Sequence, residues 1–301
     1  MKIRMQECES AANLTVNYWD IGVVGRTVDD RGRAAMDFLS SRTGRLVCIE
    51  YNPEEFQLDI DGNKINAEDV DDFLSKLDGG SVLLEATTLG FVEIFLLCRA
   101  LRKIGLPKLA LLYVEPLSYS NPRRSQLLTR RDFELSEKVP GYKAIPGATL
   151  MLTDRTPQQA IFFLGYEGER LERALEDYQM IRPSNCSVVF GVPAFRPGWE
   201  MDAFANNIRI IAERNIRGGV YFCGAENPAA AFELLTQLHR GLSRSERLFI
   251  GPIGTKPNGI GVALFAATYE NVGILYDHPR RRAGRSSQTG RWHLFDVEFK
   301  C

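Results

Sequence analysis

A glycine-rich turn in the C-terminal half of the chain carries residue types that bind anions. The segment 251–259 follows the apolar run 248–250 and leads into an apolar helical pattern. Glycine lets backbone N–H groups approach a ligand closely, and the start of a helix presents the positive end of its dipole. Lys256 adds a positive charge and Thr255 a hydroxyl. The turn is therefore predicted to bind a phosphate through Gly251, Gly254, Thr255, Lys256 and Asn258.

This turn matches neither of two familiar glycine-rich phosphate motifs. A Walker A loop requires Gly-Lys-Ser/Thr, whereas the order at 254–257 is Gly-Thr-Lys-Pro, and GxGxxG does not occur in the turn. A structural role is the alternative, in which Gly251 and Pro252 only shape a tight connection from strand to helix.

The first half of the chain contains a counterpart turn. Thr87-Thr-Leu-Gly90 follows the strand pattern 81–86 in the way that the lysine-containing turn follows 248–250. Thr87 and Thr88 offer hydroxyl groups to a ligand, but this turn has no lysine, and Glu85 precedes it. The difference predicts one half that contacts phosphate and one modified half, or a ligand that is itself unsymmetrical.

Two arginines stand in or near further turns that follow predicted strands. Ligands of open parallel sheets bind beyond the carboxyl ends of the strands. Arg170 follows the strand 160–164, and Arg196 lies in the loop 191–199. Both are predicted to line the phosphate cleft. The aromatic residues of that loop either stack on a base or fill the seam between domains.

Little in the sequence indicates catalytic or metal chemistry. There is no GxSxG nucleophile motif, and the six cysteines and three histidines show no metal-ligand spacing. His278 and Glu115 are the candidate acid or base residues, although a lone histidine is more often structural. No cofactor and no metal ion are predicted.

Strand and helix patterns alternate along most of the chain. In the second half, the strand patterns lie at 160–164, 186–191, 218–223, 247–250 and 271–276. Such alternation predicts an α/β fold with two Rossmann-like halves and mostly parallel sheets. The predicted domains are 1–117, an insertion or linker at 118–155, and 156–301. The alternating segment 292–299 is predicted to add an edge strand.

The two halves also share an order of elements and a short residue pattern. Each contains a strand, a glycine-containing turn, an apolar helix and a second strand, which ends near Tyr113 and Pro116 and again near Tyr276 and Pro279. We predict an internal duplication, with a pseudo-symmetric ligand site where the strand ends converge. Chance recurrence of common α/β patterns is the alternative.

Length, charge and hydrophobic content restrict the class of protein to which the chain can belong. The chain has 301 residues, a formal net charge of −1 and a hydrophobic fraction of 45%. A near-neutral charge argues against direct binding of duplex DNA, although arginines cluster locally over 280–291. The polar N-terminus and the lack of an apolar stretch of ~20 residues predict neither a signal peptide nor a membrane span. A cytoplasmic location is expected.

The strand, Gly-Thr-Lys turn and apolar helix within 245–279 resemble CARF domains, the Rossmann-like sensors of cyclic oligonucleotides in prokaryotic antiviral systems. A fainter resemblance covers 81–116. Two such units in one chain resemble the SAVED arrangement, in which a pseudo-dimer binds a cyclic nucleotide. The resemblance implies that Thr255 and Lys256 contact the ligand. The glycine pair is split here, and no effector domain such as a nuclease is found.

These patterns together predict a nucleotide-binding sensor or regulatory subunit of a prokaryotic defence or signalling system. The predicted ligand is a nucleotide, which includes a cyclic oligonucleotide, or another phosphate-bearing molecule. One alternative is a metal-independent nucleotide hydrolase or phosphodiesterase that uses His278 or Glu115. Another is a non-catalytic, partner-binding subunit. The predicted protein partners are an effector such as an ATPase or nuclease, or a second copy of the chain.

Overall fold

The chain forms two compact units, each with its own sheet. Unit 1 comprises Met1–Ser120 and Ala283–Cys301, and unit 2 comprises Asn121–Arg282. The computed structural model describes residues 1–15, 17–76, 79–119, 123–124, 131–133, 135–150 and 158–299.

Strands and helices alternate along both units. The strands of the described residues are β1 (Lys2–Cys8), β2 (Trp19–Val24), β3 (Thr43–Asn52), β4 (Gln57–Ile60), β5 (Asn63–Asn66), β6 (Ser81–Glu85), β7 (Lys108–Tyr119), β8 (Arg123–Arg124), β9 (Arg131–Asp132), β10 (Ser136–Lys138), β11 (Gln158–Leu164), β12 (Cys186–Gly191), β13 (Gly219–Cys223), β14 (Arg247–Pro252), β15 (Val272–Ile274), β16 (Arg280–Arg281) and β17 (Ser286–Glu298). The helices are α1 (Asp30–Ser40), α2 (Val70–Ser75), α3 (Phe91–Lys103), α4 (Glu169–Asp177), α5 (Trp199–Glu213), α6 (Pro228–Gly241) and α7 (Lys256–Thr268).

The main sheet of unit 2 is parallel throughout, with the order β13-β12-β11-β14-β15. A helix occupies each connection, and the strand order is that of a Rossmann-like fold. Helices α4 and α5 pack on the sheet through Leu171 and Ile210, against Phe162 and Val188. Strand order reverses between β11 and β14, so their carboxyl ends form the switch point where such folds bind ligands. The predicted alternation of strands and helices in this region is confirmed.

Unit 1 contains an eight-stranded sheet with the order β1-β17-β7-β6-β2-β3-β4-β5. The four central strands, β7, β6, β2 and β3, are parallel, and the strands on both sides of them are antiparallel. The Asp-Gly-Asn sequence at 61–63 within 56–65 predicts a hairpin. The hairpin is present as β4 and β5, joined through Asp61 and Gly62 with φ angles of 50° and 85°. The switch point of this unit lies between β2 and β6.

The last strand departs from the prediction of an edge strand. β17 lies between β1 and β7 and is antiparallel to both, and it buries Trp292, Leu294 and Phe295. The alternating pattern of 292–299 identified a strand but not its neighbours, because the polar segment that forms β1 gave no strand signal. The chain thus returns to unit 1 after Arg282, so the C-terminal residues do not belong to the predicted domain 156–301.

The predicted insertion 118–155 falls partly outside the described residues. Within it, β7 continues to Tyr119, β8 pairs with β9, and β10 pairs with β16. The apolar spacing over 67–77 predicts a helix with Leu77 on its apolar face. Leu77 lies outside the described residues, and the helix is seen as α2.

A buried ion pair joins three elements of unit 1. Asp29 caps α1 by accepting from the Gly32 N–H at 3.1 Å, and it also accepts from Arg31 at 2.8 Å and from the Ser286 hydroxyl at 2.6 Å. Arg31 donates to the Val114 carbonyl oxygen at 3.1 Å. Burial alone would raise the pKa of Asp29, but the Arg31 charge and these hydrogen bonds lower it to about 2.

We expect Asp29→Asn to remove an acid-dependent part of the stability of unit 1. Because the folded pKa is depressed, the carboxylate stabilises the fold above pH ~4, and this contribution is lost as the pH falls towards 2. The depression corresponds to ~2 kcal/mol. Urea unfolding at pH 7 and pH 3 measures it, with Asp37→Asn on the exposed face of α1 as the control. A D29N variant as stable as the wild type at pH 7 would contradict this role.

Candidate functional site

The turn after β14 in unit 2 is organised by Thr255. Its hydroxyl donates to the Ala225 carbonyl oxygen at 2.6 Å and accepts from the Asn258 N–H at 3.4 Å, which makes Thr255 the N-cap of α7. An N-cap of this type satisfies one of the open N–H groups of a helix start. Thr255 therefore holds the turn in place and joins it to the loop after β13.

Two backbone N–H groups at this turn remain available. Within the part of the chain that the structure describes, the N–H groups of Gly254 and Thr255 donate to no protein acceptor. Both residues are partly exposed, and Lys256 is the first residue of α7. Adjacent open N–H groups at the positive end of a helix form an anion-binding site. We call Gly254, Thr255 and Lys256 the anion turn.

The ends of neighbouring strands pack closely against the anion turn. A Cβ atom on Gly165, which follows β11, would lie 3.1 Å from the Ile253 carbonyl oxygen, and one on Gly254 would lie 3.0 Å from the Leu164 carbonyl oxygen. A Cβ atom on Gly191, at the end of β12, would lie 3.5 Å from the Thr255 methyl carbon. The turn thus sits at the switch point, where ligands of this fold bind.

Gly251, predicted as a ligand contact, has a different role. It lies within β14, and a Cβ atom there would come within 2.2 Å of the Phe162 ring. Glycine is required at this position by packing against the neighbouring strand. The assignment of Gly251 to the ligand is therefore corrected.

Asn258 lies in the first turn of α7 and is 1% exposed. Its side-chain oxygen finds no donor among the described residues. A buried acceptor without a partner costs roughly 1–3 kcal/mol, so such atoms usually bind a water or a ligand group. Asn258 stays a predicted contact of the anion turn.

Arg170 is committed to an ion pair within unit 2. Its guanidinium donates to both carboxylate oxygens of Asp277, at 2.7 and 2.5 Å, and to the Ile253 carbonyl oxygen at 3.3 Å. Burial opposes the charge of Arg170, but Asp277 more than compensates and raises the pKa of the guanidinium. The predicted role of Arg170 as a ligand contact is corrected: it ties α4 to the turn before Gly254. No local sequence pattern predicts this pairing.

Further contacts that the sequence did not indicate surround this pair. The Tyr142 hydroxyl donates to the Arg170 carbonyl oxygen at 2.9 Å. The Glu167 carboxylate accepts from the backbone N–H groups of Leu135 and Ser136 at 3.0 and 2.9 Å. These hydrogen bonds connect the segment 135–142, which precedes β11, to residues 167–170, which follow β11.

Three aromatic side chains of unit 2 lie close to one another. Tyr166 follows Gly165 directly, and its ring lies 4.7 Å from Phe133 and 6.4 Å from Trp199. The Arg196 guanidinium lies 5.8 Å from the Trp199 ring centre. Arg196 is exposed and remains a predicted ligand contact. We call Phe133, Tyr166 and Trp199 the aromatic cluster.

The two predicted acid or base residues are both held by structural contacts. The His278 Nε2 lies 3.3 Å from the Lys143 carbonyl oxygen, and the residue is 7% exposed. Glu115 belongs to unit 1, where its carboxylate lies 2.7 Å from the Nε2 of fully buried His293. Both contacts lie within the fold, and the catalytic role of His278 or Glu115 stays a prediction.

In the counterpart turn of unit 1, polar groups of the turn donate hydrogen bonds to the side chain of Glu85. Glu85, which is fully buried, accepts from the N–H groups of Thr87 and Thr88 at 2.8 and 2.7 Å and from the Thr88 hydroxyl. The two hydroxyls also accept from the N–H groups of Val114 and Gly25 at 3.0 and 2.9 Å. Burial raises the pKa of Glu85, against the effect of these bonds. The assignment of Thr87 and Thr88 to a ligand is therefore corrected.

Among the described residues, no group of three or more His, Cys, Asp or Glu side chains is arranged to hold a metal ion. No helix in the described part of the chain combines the length and apolarity that crossing a membrane requires.

No protein-family model and no curated protein matches the chain. One similar solved structure is a ketoreductase domain from the bacillaene assembly line, with a TM-score of 0.21 and 10% sequence identity. The similarity covers 83% of this chain and 63% of that chain, so the match spans less than two thirds of the ketoreductase chain. A likeness at this level says nothing about what the protein does.

We expect Asp277→Asn to destabilise unit 2 strongly. The substitution removes the carboxylate that the buried Arg170 guanidinium contacts directly and leaves only Glu167, at 3.9 Å. Breaking a buried pair in this way costs about 3–5 kcal/mol. Urea unfolding followed by circular dichroism measures the loss. Asp177→Asn, at the exposed end of α4, is the matched control and should cost under ~0.5 kcal/mol. Equal stability of the two variants would refute the role of the pair.

Proposed function

We propose that unit 2 binds a nucleotide through its phosphate at the anion turn. The observation that carries this proposal is the pair of N–H groups on Gly254 and Thr255, which donate to no acceptor among the described residues. They lie at the switch point and at the start of α7, where the helix dipole favours negative charge. Lys256 supplies a formal positive charge at the same place.

The aromatic cluster favours a nucleotide over a simple anion. Tyr166 is adjacent in sequence to Gly165, whose backbone packs against Ile253 and Gly254. The backbone of Tyr166 is therefore next to the anion turn, and its ring belongs to the aromatic cluster. Aromatic rings stack on nucleobases, and the exposed Arg196 beside Trp199 adds a charge and a planar surface.

We favour a protein that binds the nucleotide without converting it. The acid or base candidates are used within the fold, since His278 contacts the Lys143 carbonyl oxygen and Glu115 contacts His293. Cys223 is buried at the end of β13, and burial raises the pKa of its thiol to about 11, so the reactive thiolate is disfavoured. A sensor or regulatory subunit requires none of these groups to react.

We also propose that the two units arose by duplication, with one ligand turn retained. Strands β3-β2-β6-β7 of unit 1 have the same parallel order as β12-β11-β14-β15 of unit 2. Each unit has a glycine after its first central strand that packs on the next turn: Gly25 against Thr88, and Gly165 against Ile253. Together with the resemblance to CARF and SAVED proteins, this supports a cyclic oligonucleotide as ligand in a prokaryotic defence or signalling system.

We expect Lys256→Ala to weaken binding of such ligands about 10- to 100-fold, the loss of one charge-assisted hydrogen bond. Isothermal titration with mononucleotides, linear dinucleotides and cyclic oligonucleotides measures the affinity, and mass spectrometry of each ligand afterwards detects turnover. Lys64→Ala, which removes an exposed lysine of unit 1, is the matched control.

The proposal fails if the wild-type protein binds none of these probes, or if K256A binds with wild-type affinity. Conversion of a bound nucleotide would favour the hydrolase over the sensor. Inorganic phosphate serves as a further probe, because equal affinity for phosphate and nucleotides would remove the role of the aromatic cluster.

A further inference from the structure

An apolar patch on unit 2 is exposed in the part of the chain that the structure describes. Val220 and Phe222 of β13 are 51% and 57% exposed, and Met201 and Ile208 of α5 are 62% and 57% exposed. The patch is continuous, because Phe204 lies one helical turn beyond Met201 and its ring centre is 6.3 Å from that of Phe222. Contiguous exposed apolar surface of this kind marks a binding interface.

The same patch lies on the edge of the unit 2 sheet. Within the described residues, β13 pairs with β12 and with no further strand. Alternate residues of a strand direct their backbone N–H and C=O groups to opposite edges, so about half of these groups in β13 face away from β12. Proteins commonly protect exposed edges with charged residues or proline, and 219–223 contains neither. Strand β13 is therefore suited to pairing with another strand.

We propose that β13 pairs with β13 of a second copy of the chain, in an antiparallel, two-fold arrangement that joins the two sheets edge to edge. A two-fold axis at Tyr221 puts Val220 of each copy opposite Phe222 of the other. Aromatic and β-branched residues paired in this way stabilise antiparallel strands. The patch is then complementary to itself, as a two-fold interface requires.

The charges beside β13 fit the same partner. Arg217 precedes the strand and is exposed, and Glu226 follows it. In antiparallel pairing about Tyr221, the end that carries Arg217 meets the end of the other copy that carries Glu226. Opposite charges therefore meet at both ends, whereas parallel alignment would bring like charges together. Each copy contributes its single β13 edge, so the assembly stops at a dimer.

Sedimentation velocity on the full chain tests the dimer. The wild type should sediment with twice the chain mass, and Val220→Lys combined with Phe222→Lys should give monomer, because ammonium groups then oppose one another across the axis. Both positions are more than half exposed, so the fold should persist, as circular dichroism would verify. Met180→Lys, at a site 44% exposed outside the patch, is the control and should stay dimeric. A monomeric wild type, or a dimeric double variant, overturns the proposal.

A disulfide tests the register independently of stability. With the axis at Tyr221, the two Cα atoms of this residue lie about 4.5–5.5 Å apart, within the range that a disulfide spans. Tyr221→Cys should therefore form a covalent dimer on mild oxidation. Met180→Cys controls for chance collision, and the wild type for the native cysteines. A Tyr221→Cys protein that yields no more covalent dimer than these two overturns the proposed register. Nucleotide binding by the same variants is a separate readout, since the dimer does not depend on the anion turn.

Discussion

Both units depend on a close approach of backbone to backbone where their two central strands end. In unit 2, Gly165 and Gly254 bring the ends of β11 and β14 so near that a Cβ atom on either would crowd a carbonyl oxygen of the other strand's turn. In unit 1, Gly25 packs on Thr88 in the same way, with a Cβ position only 2.5 Å from the Thr88 carbonyl oxygen. Larger side chains at these positions would separate the strands, and the turns that follow would no longer meet at the switch point.

The two units differ in whether the backbone N–H groups of these turns have acceptors within the chain. In unit 1, the buried Glu85 precedes the turn and accepts from the N–H groups of Thr87 and Thr88. The corresponding turn of unit 2 follows Gly251 and Pro252 and has no such acidic residue, so Gly254 and Thr255 keep their donors open within the described structure. In unit 1 a carboxyl group of the chain therefore accepts from the turn, whereas in unit 2 the described residues supply no acceptor for the Gly254 and Thr255 N–H groups.

The buried charge of Arg170 supports the anion turn of unit 2. Arg170 is neutralised by Asp277 and reaches the Ile253 carbonyl oxygen, so it shapes the turn without offering its charge to a ligand. Lys256, one residue into α7, supplies the charge at the anion turn itself. A buried cation that were unpaired would be costly in this environment, whereas a paired one stabilises the turn and keeps its geometry constant.

The sequence by itself determined the alternation of strands and helices, the hairpin at Asp61 and Gly62, and the glycine-threonine-lysine turn, because hydrophobic period, turn residues and helix caps are local signals. Only the tertiary structure decided that β17 pairs with β1 and β7, and that Arg170 pairs with Asp277, 107 residues away. It also decided that the Thr87 and Thr88 hydroxyls accept from the N–H groups of Val114 and Gly25, which lie in distant segments. Which donors and charges remain open for a ligand depends on contacts between distant segments, and residue type and spacing along the chain do not encode those contacts.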